Sequence, residues 1–509
     1  MKKIISNIVL PLDCTNDDAV EYALKNSNID KNIVTSARVV KRSVDARRGN
    51  VMLVYCVEIE YLPFETEKDE FVFGTQKLQG NIVIVGAGPA GLFTAYTLTK
   101  NGYRCTLIER GQSVYERSKS VDGFYKSGNL NVNSNVQFGE GGAGTFSDGK
   151  LTTRVGDTRS KTVLETFVEN GAKEEILYAG KPHIGTDMLK DIVANMRKEI
   201  IKNGGKVMFD TIVSDIVIKN NRVYSVVTDK GEIPAERVIL AIGHSARDTY
   251  QMLYKKGVAM EPKSFAMGYR IEHKREFIDR SQYGKYAGHK NLGAADYRLT
   301  YNGKDRSCFS FCMCPGGYVV AATSENGGIT VNGMSENSRD GENSNSAIVA
   351  QITPDDFEGV LGGIELQRKY ERMAYSVTNS FVAPVQNTSD FINGTVSGKL
   401  TGVVPSYPLG YEFADLSALM PDGAVKTLQE GLKSFDRKIK DFTTCSVLTG
   451  VETRTSAPLR ILRNQQMESI NVGGLMPVGE GAGYAGGIMS AAIDGIKAAE
   501  RIMSVYDRN

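Results

Sequence analysis

Residues 81–111 read NIVIVGAGPAGLFTAYTLTKNGYRCTLIERG. Ile82, Val83, Ile84 and Val85 make the wholly apolar run of a buried strand. Gly86, Gly88 and Gly91 follow in the spacing GxGxxG, with Pro89 and Ala90 inside it; residues 92–99 are helical in pattern, 104–108 form the next strand, and Glu109 ends it. Strand, glycine turn, helix, strand and acid, in that order, predict a dinucleotide-binding unit of a parallel α/β sheet. The glycines let the backbone approach a pyrophosphate at a helix N-terminus, and the carboxylate can accept ribose hydroxyls. A tight turn without a ligand explains one glycine but not three and the acid.

The same spacing recurs twice. GEGGAG, with Gly139, Gly141 and Gly144, has neither a long strand before it nor a helix after it. It reads either as a loop whose amides, around Gly141, Gly142, Gly144 and Thr145, line a ligand, or as a flexible connection. VGEGAGYAGGIM at 478–489 holds Gly481, Gly483 and Gly486 between a strand-like stretch and a helical one with Ile488, Ala492, Ile496 and Ala499 in register. No further strand follows before residue 509, so this is half a fingerprint, expected to serve the same dinucleotide from the far end of the chain.

Composition narrows the function classes. With 509 residues and 41% apolar content the chain can form several domains and bury a sizeable ligand. Its 61 basic and 59 acidic residues leave a net charge of +2 with no long basic run, so nucleic acid is not the expected partner. No stretch reaches the roughly 18 apolar residues of a membrane span. The N-terminal Met1-Lys2-Lys3-Ile4-Ile5 superficially resembles a secretory leader, but Asn7, Pro11 and Asp13 interrupt it. Seven cysteines, an odd number in a long chain, point to reduced thiols and the cytoplasm.

The expected division is a small N-terminal α+β domain over 1–78, a first dinucleotide-binding part over 79–260, an inserted β-rich substrate domain over 261–440 and a returning part over 441–509. Within it, 187–203 is helical, Asn220-Asn221 joins two strands as a hairpin turn, and 238–242 is a buried parallel strand closed by Gly243. The polar stretch from Pro63 through 66–70 marks the first boundary, and 324–346, rich in Asn, Ser, Gly and Glu, reads as a solvated loop or a mobile cover over a site.

These residues resemble a known group. Residues 81–111 resemble the first FAD motif of the glutathione-reductase-type flavoproteins, AERVILAIGHSARDT at 235–249 is similar to their strand returning to the cofactor, and GLMPVGEGAGYAGGIMSAAIDGI at 474–496 to their C-terminal motif. More narrowly, KRSVDARRG, FGEGGAGTFSDGKLTTR, KPHIGTD, SFCMCPGG, NGMS, GVETRTSAPLRILR and GEGAGYAGGIMSAA resemble the bacterial FAD-dependent, or NAD(FAD)-utilizing, dehydrogenases over nearly the whole chain. The resemblance implies a noncovalent FAD, a Rossmann-like FAD-binding domain of the glutathione-reductase type and a redox reaction on a small molecule. It implies FAD contacts at Gly86, Gly88, Pro89, Ala90, Gly91, Glu109, Arg110, Gly141, Gly142, Gly144, Thr145, Gly243, Gly479, Glu480, Gly486, Gly487 and Ile488, with Glu480 on the ribityl chain. No second fingerprint follows Gly243, so NADH or NADPH, as a transient electron donor, has no Rossmann unit of its own here.

FAD carries the electron transfer, so reactive residues must lie near its ring. On an extended strand Cys308, Ser310, Cys312 and Cys314 face one way, and a Cys312–Cys314 disulfide needs a sharp bend, for which Pro315-Gly316-Gly317 is a source. Packing against the ring and thiol redox both remain open; a metal centre lacks a fourth ligand, and none is expected. His183 is one of four histidines and a candidate general acid, or a structural residue. Arg454 and Arg460 suit an anionic substrate or reduced flavin, or a surface ion pair. The resulting expectation is an FAD-dependent oxidoreductase. Its rivals are a thiol-disulfide oxidoreductase working through Cys312 and Cys314, and a non-catalytic flavin sensor.

Overall fold

In the computed structural model, Ile82–Val85 is the central strand of a five-stranded parallel sheet in the spatial order Leu475–Pro477, Arg237–Leu240, Ile82–Val85, Thr106–Ile108, Lys206–Met208. The structure describes residues 1–47, 49–62, 71–153 and 156–508. The run is apolar throughout because both faces are covered. Ile82 and Ile84 meet helices Pro89–Lys100, Thr186–Lys202 and Ile488–Met503, while Val83 and Val85 meet an antiparallel meander and helix Arg247–Lys255. In the meander Val213–Lys219 and Arg222–Thr228 are joined through Asn220 and Asn221 at φ of 51° and 57°, the left-handed pair expected of a tight hairpin.

The C-terminal strand adds beside Arg237–Leu240, which lays helix Ile488–Met503 alongside Pro89–Lys100. The two approach closely at Gly495, where any Cβ would stand 2.2 Å from the Ala90 carbonyl oxygen. Both helices therefore begin next to each other, on the side of the sheet where the strands end.

The second large unit is a seven-stranded sheet in the order Thr300–Asn302, Ser307–Cys314, Asn343–Ile352, Phe265–Lys274, Val447–Glu452, Ala383–Asn387, Tyr411–Phe413, antiparallel except for its last pair. Helix Asp422–Asp436 packs on it through Leu428, Leu432 and Phe435. Because Val447–Glu452 pairs with Phe265–Lys274, the chain has not left this unit at residue 441, and the expected boundary there falls too early.

Only the turn over 335–342, with Glu336, Ser338, Asp340 and Glu342 exposed, fits the solvated-loop reading of 324–346; much of the rest is built into the fold. Val331–Met334 pairs with Tyr318–Ala321, and Asn343, Ser344, Asn345 and Ser346 are buried at the head of a central strand. Their polarity is used inside: Asn345 accepts from Arg270 Nε at 2.9 Å and Asn343 donates to Glu272 at 3.0 Å.

The N-terminal unit is α+β as expected, a sheet in the order Lys2–Leu10, Met52–Tyr61, Val34–Asp45 with helix Asn16–Lys25, which is capped by Thr15. Alternate residues Leu53, Tyr55, Val57 and Ile59 fill its core. Arg42 donates its N–H to Tyr178 O at 2.7 Å and accepts from Gly180 N at 2.6 Å, while Tyr286 and Asn291 of the β-rich unit reach Asn50 and Leu12 O at 2.5 and 2.7 Å. Pro63 and 66–70 lie outside the described residues, as do Arg48 and Arg154 of the quoted motifs. Gly74 and Gln76 donate to Met503 O and Val505 O, so 71–78 packs on the end of the C-terminal helix. Among the described residues no helix is long and apolar enough to cross a membrane.

Candidate functional site

One cavity runs between the parallel sheet and the seven-stranded sheet, with about 1540 Å³ of empty space, part of it open to solvent. All three glycine motifs reach it: Gly86, Gly88, Pro89 and Ala90 from the first, Gly142 and Gly144 from the second, Gly487 and Ile488 just past the third, with Gly243, Glu109, Arg110 and Glu480.

The glycine end is made of backbone. Helices Pro89–Lys100 and Ile488–Met503 both start at the cavity, and neither has a side chain capping its first N–H groups. A Cβ on Gly243 or Gly487 meets nothing within 4 Å, whereas one on Gly91 would lie 1.9 Å from Gly86 O. The first pair leaves room for an occupant; Gly91 instead lets helix and strand close on each other.

Glu109 does more than the sequence suggests. It is buried and accepts from Ala87 N at 2.8 Å, Gly111 N at 2.9 Å and Gly139 N at 2.9 Å, tying the first glycine loop to the second. Three backbone donors occupy most of its lone pairs, leaving little for a ribose. Buried Arg117 holds the second loop from behind through the carbonyls of Asn135, Val136 and Glu140. GEGGAG is therefore a fastened loop ending in a short helical turn, Gly142–Phe146, and not a flexible connection.

Several expected contacts stand behind the wall. Gly91, Gly141, Thr145, Gly479 and Gly486 do not line the cavity. Gly141 and Thr145 close on each other, Gly479 donates to Asp494 at 2.7 Å with its α-carbon against Ala90, and Gly486 donates to Ser490 at 3.0 Å on an exposed turn. His183 is elsewhere: its backbone bridges Lys150, but its ring lines a separate hollow with Lys41, Arg42 and Arg339 and hydrogen-bonds Asn337 O at 3.2 Å. Burial lowers its pKa, which disfavours the protonated form a general acid needs. The histidine at the cavity is His244, directly after Gly243; burial and the nearby Arg454 and Arg247 hold its pKa at about 3, so it is neutral. Its place after the returning-strand glycine was the available signal.

The other end is made of side chains, several of them ionisable. Lys150, Phe311, Cys312, Asn332, Glu452 and Arg454 line it. Arg454 is not a surface ion pair: it is buried and bonds Glu371 through Nε at 3.0 Å and Nη2 at 2.8 Å, and Ser324 through Nη1 at 2.5 Å. Glu371 also receives Arg247, at 2.7 and 2.9 Å, and the two guanidiniums hold its carboxyl far below the usual range. Arg460 is the surface case, paired with Glu261 and away from the cavity. Fully buried Arg270 reaches Glu452 at 3.4 Å, Cys312 O at 3.0 Å and Asn332 at 3.3 Å. Burial outweighs that arginine and raises the Glu452 pKa to about 8. Glu480 is similarly pushed up to about 7 by burial.

The cysteines do not share one face. Strand Ser307–Cys314 carries a bulge: Phe311 sits opposite Ala347, yet Cys314 sits opposite Asn345, with Cys312 at φ of 46°. The extra residue reverses the alternation, so Cys308 packs in the core against Gly431 while Cys312 opens onto the cavity and Cys314 is buried beside it. The bend lies within the strand itself, ahead of Pro315-Gly316-Gly317.

Three family profiles match this chain: a NAD(P)-binding Rossmann-like domain at 84–125, an FAD-dependent protein, C-terminal domain-like, at 264–455, and a domain of unknown function at 1–60. Together with the parallel sheet and its cavity they define an FAD-dependent oxidoreductase. Within that class the chain belongs to the family of an uncharacterized protein of Clostridium beijerinckii, with 47% identity over 99% of both chains. A thiamine thiazole synthase of Thermotoga maritima is 28% identical over 37% of this chain and 67% of its own. Among solved structures, a geranylgeranyl bacteriochlorophyll reductase-like protein of Thermoplasma acidophilum aligns over 83% of this chain and 77% of its own, at 10% identity and a TM-score of 0.36. Glycine oxidase of Geobacillus kaustophilus aligns over 83% and 93%, at 10% identity and a TM-score of 0.34. The residues present fit FAD: two uncapped helix N-termini suit its pyrophosphate, and the glycines leave the room it needs.

Proposed function

We propose that this protein passes a hydride or an electron pair between a small-molecule substrate and a noncovalent FAD, bound in the glutathione-reductase-type manner and acting in the cytoplasm. What carries the reading is the convergence of three glycine segments and two uncapped helix N-termini on one cavity. Gly86, Gly88, Pro89, Ala90, Gly142, Gly144, Gly487 and Ile488 hold the diphosphate and its flanks, Glu480 faces the ribityl chain, and the substrate meets the ring near Lys150, Cys312, Glu452 and Arg454. On this reading residues up to about 62 form an accessory domain, and the seven-stranded unit is the substrate domain.

When bound, FAD supplies two-electron chemistry. The chain's part is to exclude water and to hold protons: Glu452, protonated at neutral pH, and neutral His244 are the groups available for transfer at this end. The test is the absorption spectrum of the purified protein, followed anaerobically with NADH and, separately, NADPH. Bleaching by one donor identifies a nicotinamide-driven reductase. A flavin that neither reduces directs the search to an organic donor substrate, and absence of flavin after adding FAD overturns the reading.

A further inference from the structure

We propose that Cys312 and Cys314 are a redox-active dithiol: Cys312 meets a low-molecular-weight disulfide in the cavity and Cys314 resolves it. This deepens the FAD reading and rests on it for the reductant. The bulge and the left-handed conformation of Cys312 break the extended geometry that would hold the two side chains apart. One thiol lines the cavity and the other is buried next to it, which is the division of labour that exchange requires.

Their surroundings support the assignment. The Cys314 thiol lies beside the Cys312 thiol and donates to the Cys312 carbonyl oxygen at 3.4 Å. Arg270 Nη2 stands 3.0 Å from that oxygen and 3.8 Å from Cys314 Sγ, and Lys150 Nζ donates to Met313 O between the two cysteines. The neighbouring Cys314 thiol, Arg270 and Lys150 pull the Cys312 thiol down against burial while Cys314 is raised; together with its place on the cavity wall this makes Cys312 the nucleophile. Cys308 is set apart: it lies on the opposite face, and burial pushes its thiol up to about 12.

The chemistry balances. The Cys312 thiolate attacks one sulfur of the external disulfide, the external S–S bond breaks, and the first thiol leaves with a proton from solvent. Cys314 then attacks the Cys312 sulfur, giving its own proton to the second departing thiol and closing a Cys312–Cys314 disulfide. Reopening it takes two electrons and a proton, which FAD held at Gly86, Gly88, Gly487 and Ile488 would supply once reduced by a hydride donor of the nicotinamide class, returning Cys312 as thiolate and Cys314 as thiol.

The deciding experiment is an anaerobic dithionite titration of the holoprotein oxidised with hydroxyethyl disulfide, with denatured free-thiol counts and peptide mass mapping of the pre-reduced holoprotein before and after that oxidation. The wild type should consume twice the reducing equivalents per flavin of Cys312→Ser or Cys314→Ser, and should lose two thiols into a 312–314 linked peptide; Cys308→Ser should match the wild type. A wild type that titrates as flavin alone and keeps its thiols overturns the dithiol while leaving the FAD reading intact. If no flavin is present, the FAD reading fails, and the thiol count and mapped peptide still decide whether the pair forms.

Discussion

The two ends of the cavity are built from different material. At one end the ligand meets main-chain N–H groups and empty space above glycines, supplied by segments that each run through a strand or a turn into a helix. At the other it meets Lys150, Cys312, Asn332, Glu452 and Arg454, which come from four separated segments and are held by partners further back, Glu452 by Arg270 and Arg454 by the Glu371 that also binds Arg247. The first arrangement depends on the absence of side chains and the second on their mutual compensation. They should therefore fail differently.

The largest effect is expected at the charged end. Glu371→Gln leaves Arg247 and Arg454 buried without their shared carboxylate. Removing one partner of a buried ion pair costs about 3–5 kcal/mol, so denaturant unfolding should shift by that much, and little change would show that the arginines find other partners. Next comes Gly91→Ala, whose methyl meets Gly86 O at 1.9 Å. Overpacking costs roughly 1–3 kcal/mol, and here it should also lower flavin content, measured as the ratio of flavin to protein absorbance.

Glu452 sharpens the contrast through pH. Its folded pKa of about 8 lies above the ordinary 4.5, so the native state keeps a proton that the unfolded chain releases. The stability this provides is full below 4.5 and is lost as pH rises through 8. Glu452→Gln should flatten that dependence, gaining on the wild type as pH rises, in melting temperatures across the range; parallel curves would refute the shift. The smallest effect is a rate profile: alkylation of Cys312 by iodoacetamide should rise with a midpoint below that of an ordinary thiol, and Cys314→Ala should move that midpoint upward because it removes the neighbouring donor that most favours the thiolate.

The same contrast explains what the sequence made legible. Gly86–Gly91 and Gly479–Ile488 are local patterns in which spacing alone encodes a turn and a helix start, so the sheet, its crossover and the returning C-terminal strand could be read directly. The other end depends on tertiary neighbours. Glu452 could not be distinguished from any acid at a strand end until the fold placed Arg270 beside it, and nothing in SFCMCPGG announces a bulge that puts Cys314 on the face opposite to Cys308. His183 looked like the available acid because it is one of only four histidines and imidazole titrates near neutral pH, but its ring turns away from the chemistry. Asn343–Ser346 looked like a loop because buried polar residues and solvated ones have the same composition; only their partners tell them apart.

The N-terminal unit carries one more consequence. It is fastened on one side to 178–180 of the nucleotide-binding part and on the other to Tyr286 and Asn291 of the β-rich part. A swing that parts the two large units must stretch one set of these contacts. The cavity thus behaves less as a jaw than as a slot with a strut across its frame, and traffic in and out should depend on side chains at its mouth, such as the exposed Phe311, while the frame stays still.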